Sequence, residues 1–387
     1  MILQGITWDH ERGLLPLLAV SEEYHRIYPD IEIHWKKRSL KDFEDFPIEK
    51  LVKDYDLIMV DHPFMSEARK EKLLLPLQEL LSAKCMDDLK RENIGQTYDS
   101  YWVDSDLMAL PVDAATQVSA YRPDYFAEKG LSAPRSFEEI FKLAASLEAG
   151  KAIGACMNPT HIFSTYMSLS AQQLGKDYFD RERGIDENVG VFSAECIYRL
   201  KNVTAPATFD MNPIQCLNAM AGDGEIVYAP YIYGYVNYSL QGYSKHRLKF
   251  TDAPLLREDC SASTQVGGVG LAITNRVGGN VLDAAVKFAE YLVSSEVQRT
   301  TYTRNDGQPA AMCAWLDEEN NEMTLDFFKG TLKTLEKGIL RPKVVHWNLF
   351  QEAASNQMFR QVQDGVDCRE IARSFNRTYQ EIVGPTL

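Results

Sequence analysis

The chain has 387 residues and a formal net charge of −14, because 55 aspartate and glutamate residues outnumber 41 lysine and arginine residues. Such an acidic chain lacks the positive field that attracts DNA, RNA or anionic lipid, which argues against a nucleic-acid partner. Hydrophobic residues make up 45% and charged residues 25%, which is an ordinary globular composition. At roughly 150 residues per domain, the length predicts two to three domains. No apolar run in the sequence approaches the ~20 residues of a membrane span.

The N-terminal segment is predicted to form strand–helix–strand units. Residues 4–8 form a short strand, residues 14–28 a helix with apolar positions near a 3.6 period, and residues 31–35 an alternating strand. Residues 55–60 are a continuous apolar run, as expected of a strand covered on both faces. Alternating strands and helices indicate a mostly parallel α/β sheet, in which ligands bind beyond the carboxyl ends of strands.

Polar and aromatic residues surround the end of the first predicted strand, namely Trp8, Asp9, His10 and Arg12. One interpretation is a ligand wall, in which Trp8 stacks on an apolar sugar face and the polar residues bind hydroxyls or a carboxylate. The other is that Asp9 caps the following helix, with ordinary polar residues in its first turn.

A second polar pair, Asp61 and His62, ends the buried strand at 55–60. A charge there is costly unless it is paired, so a ligand contact or an orienting Asp61–His62 pair would explain it. Alternatively, Asp61 caps the next helix, which Pro63 in the first turn favours. A histidine beside an aspartate is also what a general base needs.

The middle of the chain continues the alternation of elements. Strands are predicted at 107–113 and 117–121. Ser136 and Glu139 form a capping-box pattern, in which the serine hydroxyl accepts from the Glu139 amide and the carboxylate returns the bond. Asn158 precedes a proline at a further predicted helix start.

A tyrosine-rich segment follows a strand predicted at 225–230. Tyr231, Tyr233 and Tyr235 alternate, which would place three rings on one face of an extended strand. Each ring offers a stacking face and a hydroxyl, so we expect at least one of Tyr231 and Tyr233 to line a binding cleft. The alternative is a stripe in the core of a lobe or at an interface.

A glycine turn at 267–270 is predicted to lead into a strand that ends at 273. Gly268 would let the backbone approach a ligand closely, although a turn alone explains it equally well. The segment is not a phosphate loop, because no Lys-Ser/Thr pair follows it, and the first strand leads into no dinucleotide fingerprint. We therefore predict no cofactor.

Seven cysteines are dispersed along the chain without CxxC spacing. The odd number and the spacing favour free thiols and a reducing compartment over a disulfide framework or a zinc site. Metal-ligand spacing is absent from the sequence, so we predict no metal.

Five segments carry a resemblance to a known family: 28–33; 110–139; 267–273; 285–310, with Gly307-Gln308-Pro309-Ala310 at its end; and 341–352, which begins Arg341-Pro342. In this order and spacing they resemble the family 1 extracellular solute-binding proteins, the maltose-binding-protein-like group that serves ABC importers. The resemblance implies an α/β protein of two lobes with a ligand cleft between them. The implied division is 1–111 plus 262–312 for one lobe and 112–261 plus 313–387 for the other.

The resemblance also implies positions in the cleft. The region of Asp113 and Thr116 lines the cleft in that family, although a turn-stabilising role would also explain Asp113. Trp347 stands where the family places cleft-facing side chains of the second lobe, although a tryptophan is more often part of a core. The chain departs from the family pattern at Arg122, where an asparagine is usual.

The function implied is a monomeric receptor that closes on a small solute, a sugar, polyol or small acid, and hands it to an ABC permease. The family implies a periplasmic or cell-surface location. The first eight residues have no basic region and no signal-like apolar run, which would imply a cytoplasmic protein if Met1 is the native start. The alternative is therefore a cytoplasmic enzyme, with Asp61–His62 or Asp9–His10 as an acid/base pair, or a ligand sensor. An enzyme is the less favoured interpretation, because no nucleophile motif is present.

Overall fold

The fold is organised around ten strands, and the computed structural model describes residues 1–45 and 48–386. Within these ranges the strands are β1 (Ile2–Trp8), β2 (Glu32–Arg38), β3 (Leu57–Val60), β4 (Trp102–Val103), β5 (Asp106–Leu107), β6 (Leu110–Tyr121), β7 (Ala152–Ile153), β8 (Ile226–Tyr233), β9 (Lys249–Thr251) and β10 (Val266–Ile273).

Helices make up most of the remaining described chain. They are α1 (Glu11–Ile27), α2 (Leu40–Asp45), α3 (Ile48–Leu51), α4 (Met65–Lys70), α5 (Ala83–Glu92), α6 (Thr97–Ser100), α7 (Pro123–Lys129), α8 (Phe137–Ser146), α9 (Pro159–Leu174), α10 (Glu187–Val203), α11 (Pro213–Ala221), α12 (Gly279–Leu292), α13 (Ser295–Val297), α14 (Met312–Leu316), α15 (Glu318–Met323), α16 (Phe327–Glu336), α17 (Trp347–Asp364) and α18 (Cys368–Ile382). The short helix at His62–Phe64 is 3₁₀.

We call the lobe that contains the N-terminus lobe 1 and the other lobe 2. One sheet runs through both lobes of the α/β fold, in the order β2-β1-β3-β10-β6-β8-β7, with β9 paired to β6. In lobe 1, β1 pairs in parallel with β2 and β3, whereas β10 is antiparallel to β3. In lobe 2, β8 pairs in parallel with β7. The first half of β6 pairs with β10, and its second half pairs with β8 and β9. This strand therefore carries the chain from lobe 1 into lobe 2.

Three segments cross between the lobes beside one another. β6 crosses near Asp113, and β10 returns from lobe 2 at Val266 to pair with β3 in lobe 1. Residues 308–310 form the third crossing: the Ala114 amide donates to the Gln308 carbonyl at 3.0 Å, and the Ala310 amide donates to the Val112 carbonyl at 3.0 Å.

Buried apolar residues form separate clusters. One draws its members from 3–112 and 269–302, and a second from 125–256 and 339–383. A third lies mainly under β6 and β8 and includes Trp315 and Phe327. The division of the chain expected from the sequence stays a prediction, and the first two clusters are what supports it.

Several local predictions need correction. The strands expected at 107–113 and 117–121 are one continuous strand, β6, because three antiparallel neighbours share its length. The predicted glycine turn at 267–270 lies within β10. The Ser136 hydroxyl does accept from the Glu139 amide, but the Glu139 carboxylate accepts from the Arg135 amide rather than the Ser136 amide. Asn158 caps α9 as predicted.

Candidate functional site

A cavity of about 90 Å³ lies between the two lobes. In lobe 1 the ends of β1 and β3 supply Trp8 and Asp61, as the rule for parallel strands predicts. The crossing strand β10 supplies its glycines. The lobe 2 wall comes from the ends of helices and strands that converge on the cleft, and its side chains include Thr160, His161, Ser164, Tyr233, Tyr235, Arg341, Asn348 and Gln351. Gln265, directly before the crossing strand β10, also lines the cavity.

The apolar part of the wall is aromatic. Trp8 packs against Phe43 with ring centroids 5.3 Å apart, and both rings line the cavity with Phe64. Across the cavity, lobe 2 supplies Tyr233 and Tyr235. Rings on both sides offer flat faces to a solute whose own faces are apolar.

One buried ion pair joins Arg12, on the cavity wall, to Asp113 behind the wall. The Arg12 Nε donates to Oδ2 of Asp113 at 2.8 Å and Nη2 donates to Oδ1 at 2.5 Å, while Nη1 donates to the Gly234 carbonyl at 2.9 Å. The guanidinium also lies 4.7 Å from the centre of the Tyr235 ring. Burial raises the pKa of Asp113, and Arg12 opposes that shift. Every nitrogen of the guanidinium has a protein partner. We therefore assign to this pair the role of stabilising the hinge, by which we mean the three segments that cross between the lobes.

A second ion pair crosses the cleft from Arg341 in lobe 2 to Asp61 in lobe 1. The Arg341 Nη2 donates to Oδ2 of Asp61 at 2.6 Å, and Nη1 lies 3.4 Å from Oε1 of Gln351. The Nε of Arg341 is buried and has no hydrogen-bond partner among the described residues. Burial alone would raise the pKa of Asp61, but Arg341 and His62 outweigh it and lower the pKa to about 2.

His62 is buried beside this pair. Its Nδ1 lies 3.2 Å from Oδ1 of Asp61, which also accepts from the His62 amide at 2.8 Å. Burial and the charge of Arg341 lower the pKa of His62 to about 4, so the imidazole is neutral near pH 7. Such a histidine is a weak general base, because efficient bases have a pKa near the working pH.

The amide of Gln265 joins the crossing strand β10 to the lobe 2 part of the wall. Its Nε2 donates to the Tyr233 hydroxyl at 2.8 Å and to the Ser164 hydroxyl at 3.1 Å. Its Oε1 is buried without a partner in the described part of the chain. His161, whose Nδ1 lies 2.5 Å from Oδ1 of Asn158, has a pKa lowered to about 3 by burial. Gln265 therefore keeps one buried acceptor without a partner among the described residues, and His161 contributes a neutral ring to the wall.

Gly268 lines the cavity at a position only glycine suits. Its φ is +103°, and a Cβ there would lie 2.3 Å from the Asp113 carbonyl oxygen. A Cβ would clash there because β10 lies close to β6. The glycine is therefore needed for the packing of the two crossing strands as well as for the shape of the cavity wall.

Of the residues predicted for the site, the structure brings together Trp8, Arg12, Asp61, Tyr233 and Gly268 on the cavity wall. His62 and Asp113 lie behind the wall as partners of the two arginines. Thr116 is also behind it, with its hydroxyl 2.5 Å from that of Thr264. Their roles toward a solute stay predictions.

Asp9 and His10 lie outside the cavity. Asp9 is exposed and pairs with Lys37 at 2.7 Å. His10, not Asp9, caps α1 by accepting from the Arg12 amide, and its ring packs edge-on against Tyr235. Both residues face a separate opening beside Tyr238 and Tyr243.

Tyr231 and Trp347 also lie away from the cavity. Tyr231 adopts a φ of +49°, which breaks the expected alternation, and its hydroxyl donates to the Pro254 carbonyl inside lobe 2. Trp347 is 1% exposed and packs against Phe163 and Phe350 in the lobe 2 core. The tyrosine run therefore divides, with Tyr231 in the core and Tyr233 at the cleft.

Arg341 stands where the family resemblance places cleft-facing side chains, and it lines the cavity. Sequence reasoning missed several other wall residues, which are Phe43, Phe64, Tyr235, His161, Gln265, Asn348 and Gln351. Of these, Tyr235 was in the tyrosine run and so carried a signal. The others come from loop or helix positions with no motif.

Comparison with known proteins agrees with this geometry. A family model described as "Bacterial extracellular solute-binding protein" matches residues 49–312. The chain belongs to this family. Members of the family bind small solutes outside the cytoplasmic membrane and work with ABC transporters. No curated protein matches the chain by sequence.

Solved structures of solute-binding proteins share the two-lobed fold. Maltose-bound MalE3 of T. maritima is 18% identical, covers 99% of this chain and 100% of its own, and superposes with a TM-score of 0.83. A ribitol complex from Agrobacterium radiobacter K84 is 18% identical, covers 98% of each chain and has a TM-score of 0.80. An alpha-D-tagatose complex from Thermotoga lettingae TMO is 16% identical, covers 98% of this chain and 99% of its own, and also scores 0.80.

Other features of this solute-binding protein are reported for the described residues alone. No helix there is long and apolar enough to cross a membrane. No group of three histidine, cysteine or acidic side chains is placed to hold a metal ion within those ranges. All seven cysteines lie in the described chain and are unpaired.

Proposed function

We propose that this solute-binding protein closes its lobes on a neutral hydroxylated solute, a carbohydrate or polyol, and presents it to an ABC importer. The observation that carries the proposal is the charge balance of the cavity. Two arginines approach it, and each is already paired with an aspartate, Arg12 with Asp113 and Arg341 with Asp61. A charged solute would bring into the cavity a charge for which neither pair leaves a free counter-charge, which is costly.

The remaining cavity chemistry suits hydroxyl groups. A hydroxyl both donates and accepts, and two lining residues keep a buried group without a partner among the described residues, the donor Nε of Arg341 and the acceptor Oε1 of Gln265. The rings of Phe64 and Tyr233 offer apolar faces between these polar groups. Hydrogen bonds to a charged group contribute about 1.5–3 kcal/mol each, so a few directed bonds and one stacked ring suffice for useful affinity.

Closure around the solute is supported by the contacts that join the lobes. Besides the Asp61–Arg341 pair, the Tyr243 hydroxyl of lobe 2 donates to the Glu11 carboxylate at 2.5 Å, and the Lys343 ammonium donates to the Asp99 carbonyl. These bonds would break when the lobes separate. A solute held by both walls would therefore shift the equilibrium toward the closed form.

The solutes in related structures support the chemical class. Maltose, ribitol and alpha-D-tagatose, named for three structural neighbours, are all neutral and hydroxylated. The proposal extends that class to this chain and assigns the contacts to Trp8, Asp61, Tyr233 and Gly268, with Gln265 and Arg341 added. Arg12 lines the cavity as the partner of Asp113 and makes no solute hydrogen bond of its own in this proposal. The proposal also includes a monomeric state and the lobe division given above.

The test is calorimetric titration of the protein with matched neutral and acidic solutes. Glucose against glucuronate and sorbitol against gluconate differ by one oxidised carbon, and ribitol and maltose extend the neutral set. We expect binding among the neutral compounds and none for their acidic counterparts. Tighter binding of an acid than of its neutral partner would contradict the proposal, and so would chemical conversion of a bound sugar, which would indicate an enzyme.

A further inference from the structure

A buried glutamine, Gln117, lies behind the cavity between the lobes, which we call the inner cavity. It belongs to the half of β6 that pairs with β8, and it is opposite Tyr233 in the sheet register. Its side chain is fully buried and is not part of the cavity wall. A buried carboxamide is costly unless its donors and its acceptor are bonded, so its partners indicate what it holds in place.

The first partner of Gln117 is an irregular position in β8. The pairing of β6 with β8 shifts by one residue, so that Ser119 faces both Pro230 and Tyr231. Tyr231 has a positive φ of +49°, and its carbonyl accepts from Nε2 of Gln117 at 2.8 Å. A bulge disrupts the backbone ladder, so a side-chain donor at this point satisfies a carbonyl within the bulge.

These contacts fix the orientation of the Gln117 amide. A carbonyl oxygen can only accept, so Nε2 must face Tyr231, and it also donates to the Thr165 hydroxyl at 3.1 Å. Oε1 accepts from the Ser168 hydroxyl at 2.6 Å. The Ser168 oxygen in turn accepts from the backbone amide of Gln265 at 2.9 Å. One serine therefore connects Gln117 to a residue of the cavity wall.

The orientation of the Gln265 side chain is fixed in the same way. The Ser164 hydroxyl donates to the Thr160 carbonyl at 2.9 Å, so its oxygen accepts from Gln265. Nε2 of Gln265 donates to this oxygen at 3.1 Å and to the Tyr233 hydroxyl at 2.8 Å, and Oε1 is the end without a partner among the described residues. Gln265 and Tyr233 both line the inner cavity, so the network sets the position of two wall residues.

We infer that Gln117 is a positioning residue for solute binding, which acts through Ser168 on the cavity wall at Gln265. Gln117 itself touches no solute, because it lies behind that wall. This inference rests on the proposed function, since it requires the solute to bind at the inner cavity. A binding group must be held within about 0.5 Å of its productive position, so loosening Gln265 weakens binding even where the protein stays folded.

The experiment compares Gln117→Met with a matched control, Gln172→Met. Gln172 is also buried, at 1% exposure, and lies on α9, but it is not part of the inner cavity wall. Its Nε2 donates to the Pro254 carbonyl at 3.0 Å, and its Oε1 accepts from the Leu256 amide at 2.8 Å. Methionine has a similar size and lacks the amide, so both variants should unfold at a lower urea concentration than the wild type.

Solute affinity should separate the two glutamine variants. Each protein is titrated calorimetrically with glucose, sorbitol, ribitol and maltose, without denaturant and after its urea transition has shown that it is folded. We expect Gln117→Met to bind each solute that the wild type binds about tenfold more weakly, the effect of one misplaced hydrogen bond. Gln172→Met should keep the wild-type affinity.

A further variant, Ser168→Ala, tests the connection through the serine. It removes the hydroxyl between the Gln117 side chain and the Gln265 backbone amide and leaves both glutamines in place. It should weaken binding by a similar factor. The double variant Gln117→Met with Ser168→Ala should bind no more weakly than either single variant, because both changes break the same connection.

The outcomes separate the inference from the proposed function. If the wild type binds none of the four solutes, the proposed function is wrong and the inference falls with it. If the wild type binds and Gln117→Met keeps its affinity, or both glutamine variants weaken binding equally, the proposed function stands and the inference is overturned. Additive effects of Gln117→Met and Ser168→Ala would also overturn it. If Gln117→Met does not fold, wild-type affinity in Ser168→Ala overturns it.

Discussion

The two buried arginine–aspartate pairs, Arg12–Asp113 and Arg341–Asp61, differ in how completely they are bonded. Arg12 uses three nitrogens on Asp113 and the Gly234 carbonyl, beside the crossing strands. Arg341 reaches Asp61 through Nη2, and its Nε has no partner within the described residues. The first pair lies within the hinge region, whereas the second joins two bodies that can separate.

This difference in hydrogen bonding implies that the two pairs have different roles. A fully bonded buried pair has nothing left to offer a solute, so Arg12 and Asp113 hold the crossing strands. An arginine with an unused N–H and a partner on the opposite wall can exchange protein contacts for solute contacts. We therefore expect the Arg12 pair to govern stability and the Arg341 pair to govern binding.

Breaking the hinge pair gives the largest expected effect. Arg12→Met leaves Asp113 buried and unpaired, which should lower the free energy of unfolding by about 3–5 kcal/mol. The double variant Arg12→Met with Asp113→Leu should recover much of that loss, because no uncompensated charge remains. Urea unfolding measures both, and a loss below about 1 kcal/mol for the single variant would remove the hinge role.

Lowering the pH should destabilise the folded protein through His62, which lies beside the Asp61–Arg341 pair. The pKa of His62 is about 4 in the folded protein and about 6.5 when unfolded, so the folded state resists protonation. Its contribution to stability is complete above pH 6.5 and is lost as the pH falls toward 4, up to about 3 kcal/mol in total.

The variant His62→Gln tests that assignment. It should flatten the dependence of the unfolding free energy on pH by about 1.4 kcal/mol per unit between pH 6.5 and 4, since one proton no longer differs between states. The depressed pKa of Asp61 acts lower, between about 4 and 2, so the windows are distinct. An unchanged slope in the variant would show that another group carries the acid effect.

Changing the pair across the cleft should affect binding more than stability. Asp61→Asn keeps the oxygen that caps the 3₁₀ helix but removes the charge opposite Arg341. We expect about tenfold weaker solute binding, the value of one charge-assisted bond. Stability should change little, because both groups regain water when the lobes open. Wild-type affinity in this variant would place the solute elsewhere.

A pair of tyrosines gives the smallest and most closely matched test. Tyr231→Phe removes one of the two donors to the buried Pro254 carbonyl and leaves Gln172 Nε2 at 3.0 Å as the other, so it should cost about 1 kcal/mol of stability with no effect on binding. Tyr233→Phe removes a hydroxyl at the cavity wall and should weaken the solute a few-fold, within the range of one neutral hydrogen bond. The reverse pattern would restore the sequence-based view of Tyr231.

Sequence periodicity predicted much of the fold because it reports local burial. The strands at Ile2–Trp8 and Leu57–Val60 lie within two residues of the predicted limits, and their ends bring Trp8 and Asp61 to the cavity. Trp8 is also 3% exposed and packed on Phe43, so Trp8→Ala would destabilise lobe 1.

The rest of the site depends on contacts that no local pattern encodes. Arg341 and Asp61 are 280 positions apart, and only the closed arrangement of the lobes brings them together. The side of the strand that Tyr231 faces depends on one residue with positive φ, which alternation cannot reveal. Gln265 and His161 become wall residues through β10 and α9, without a motif of their own.

The most direct test of the account is a crystal structure of the protein with the neutral solute that binds most tightly. The account predicts density between the lobes, within hydrogen-bond distance of Arg341 Nε and Gln265 Oε1 and against the Tyr233 ring. Density confined to the opening beside Asp9, His10 and Tyr243, with the inner cavity empty, would contradict it.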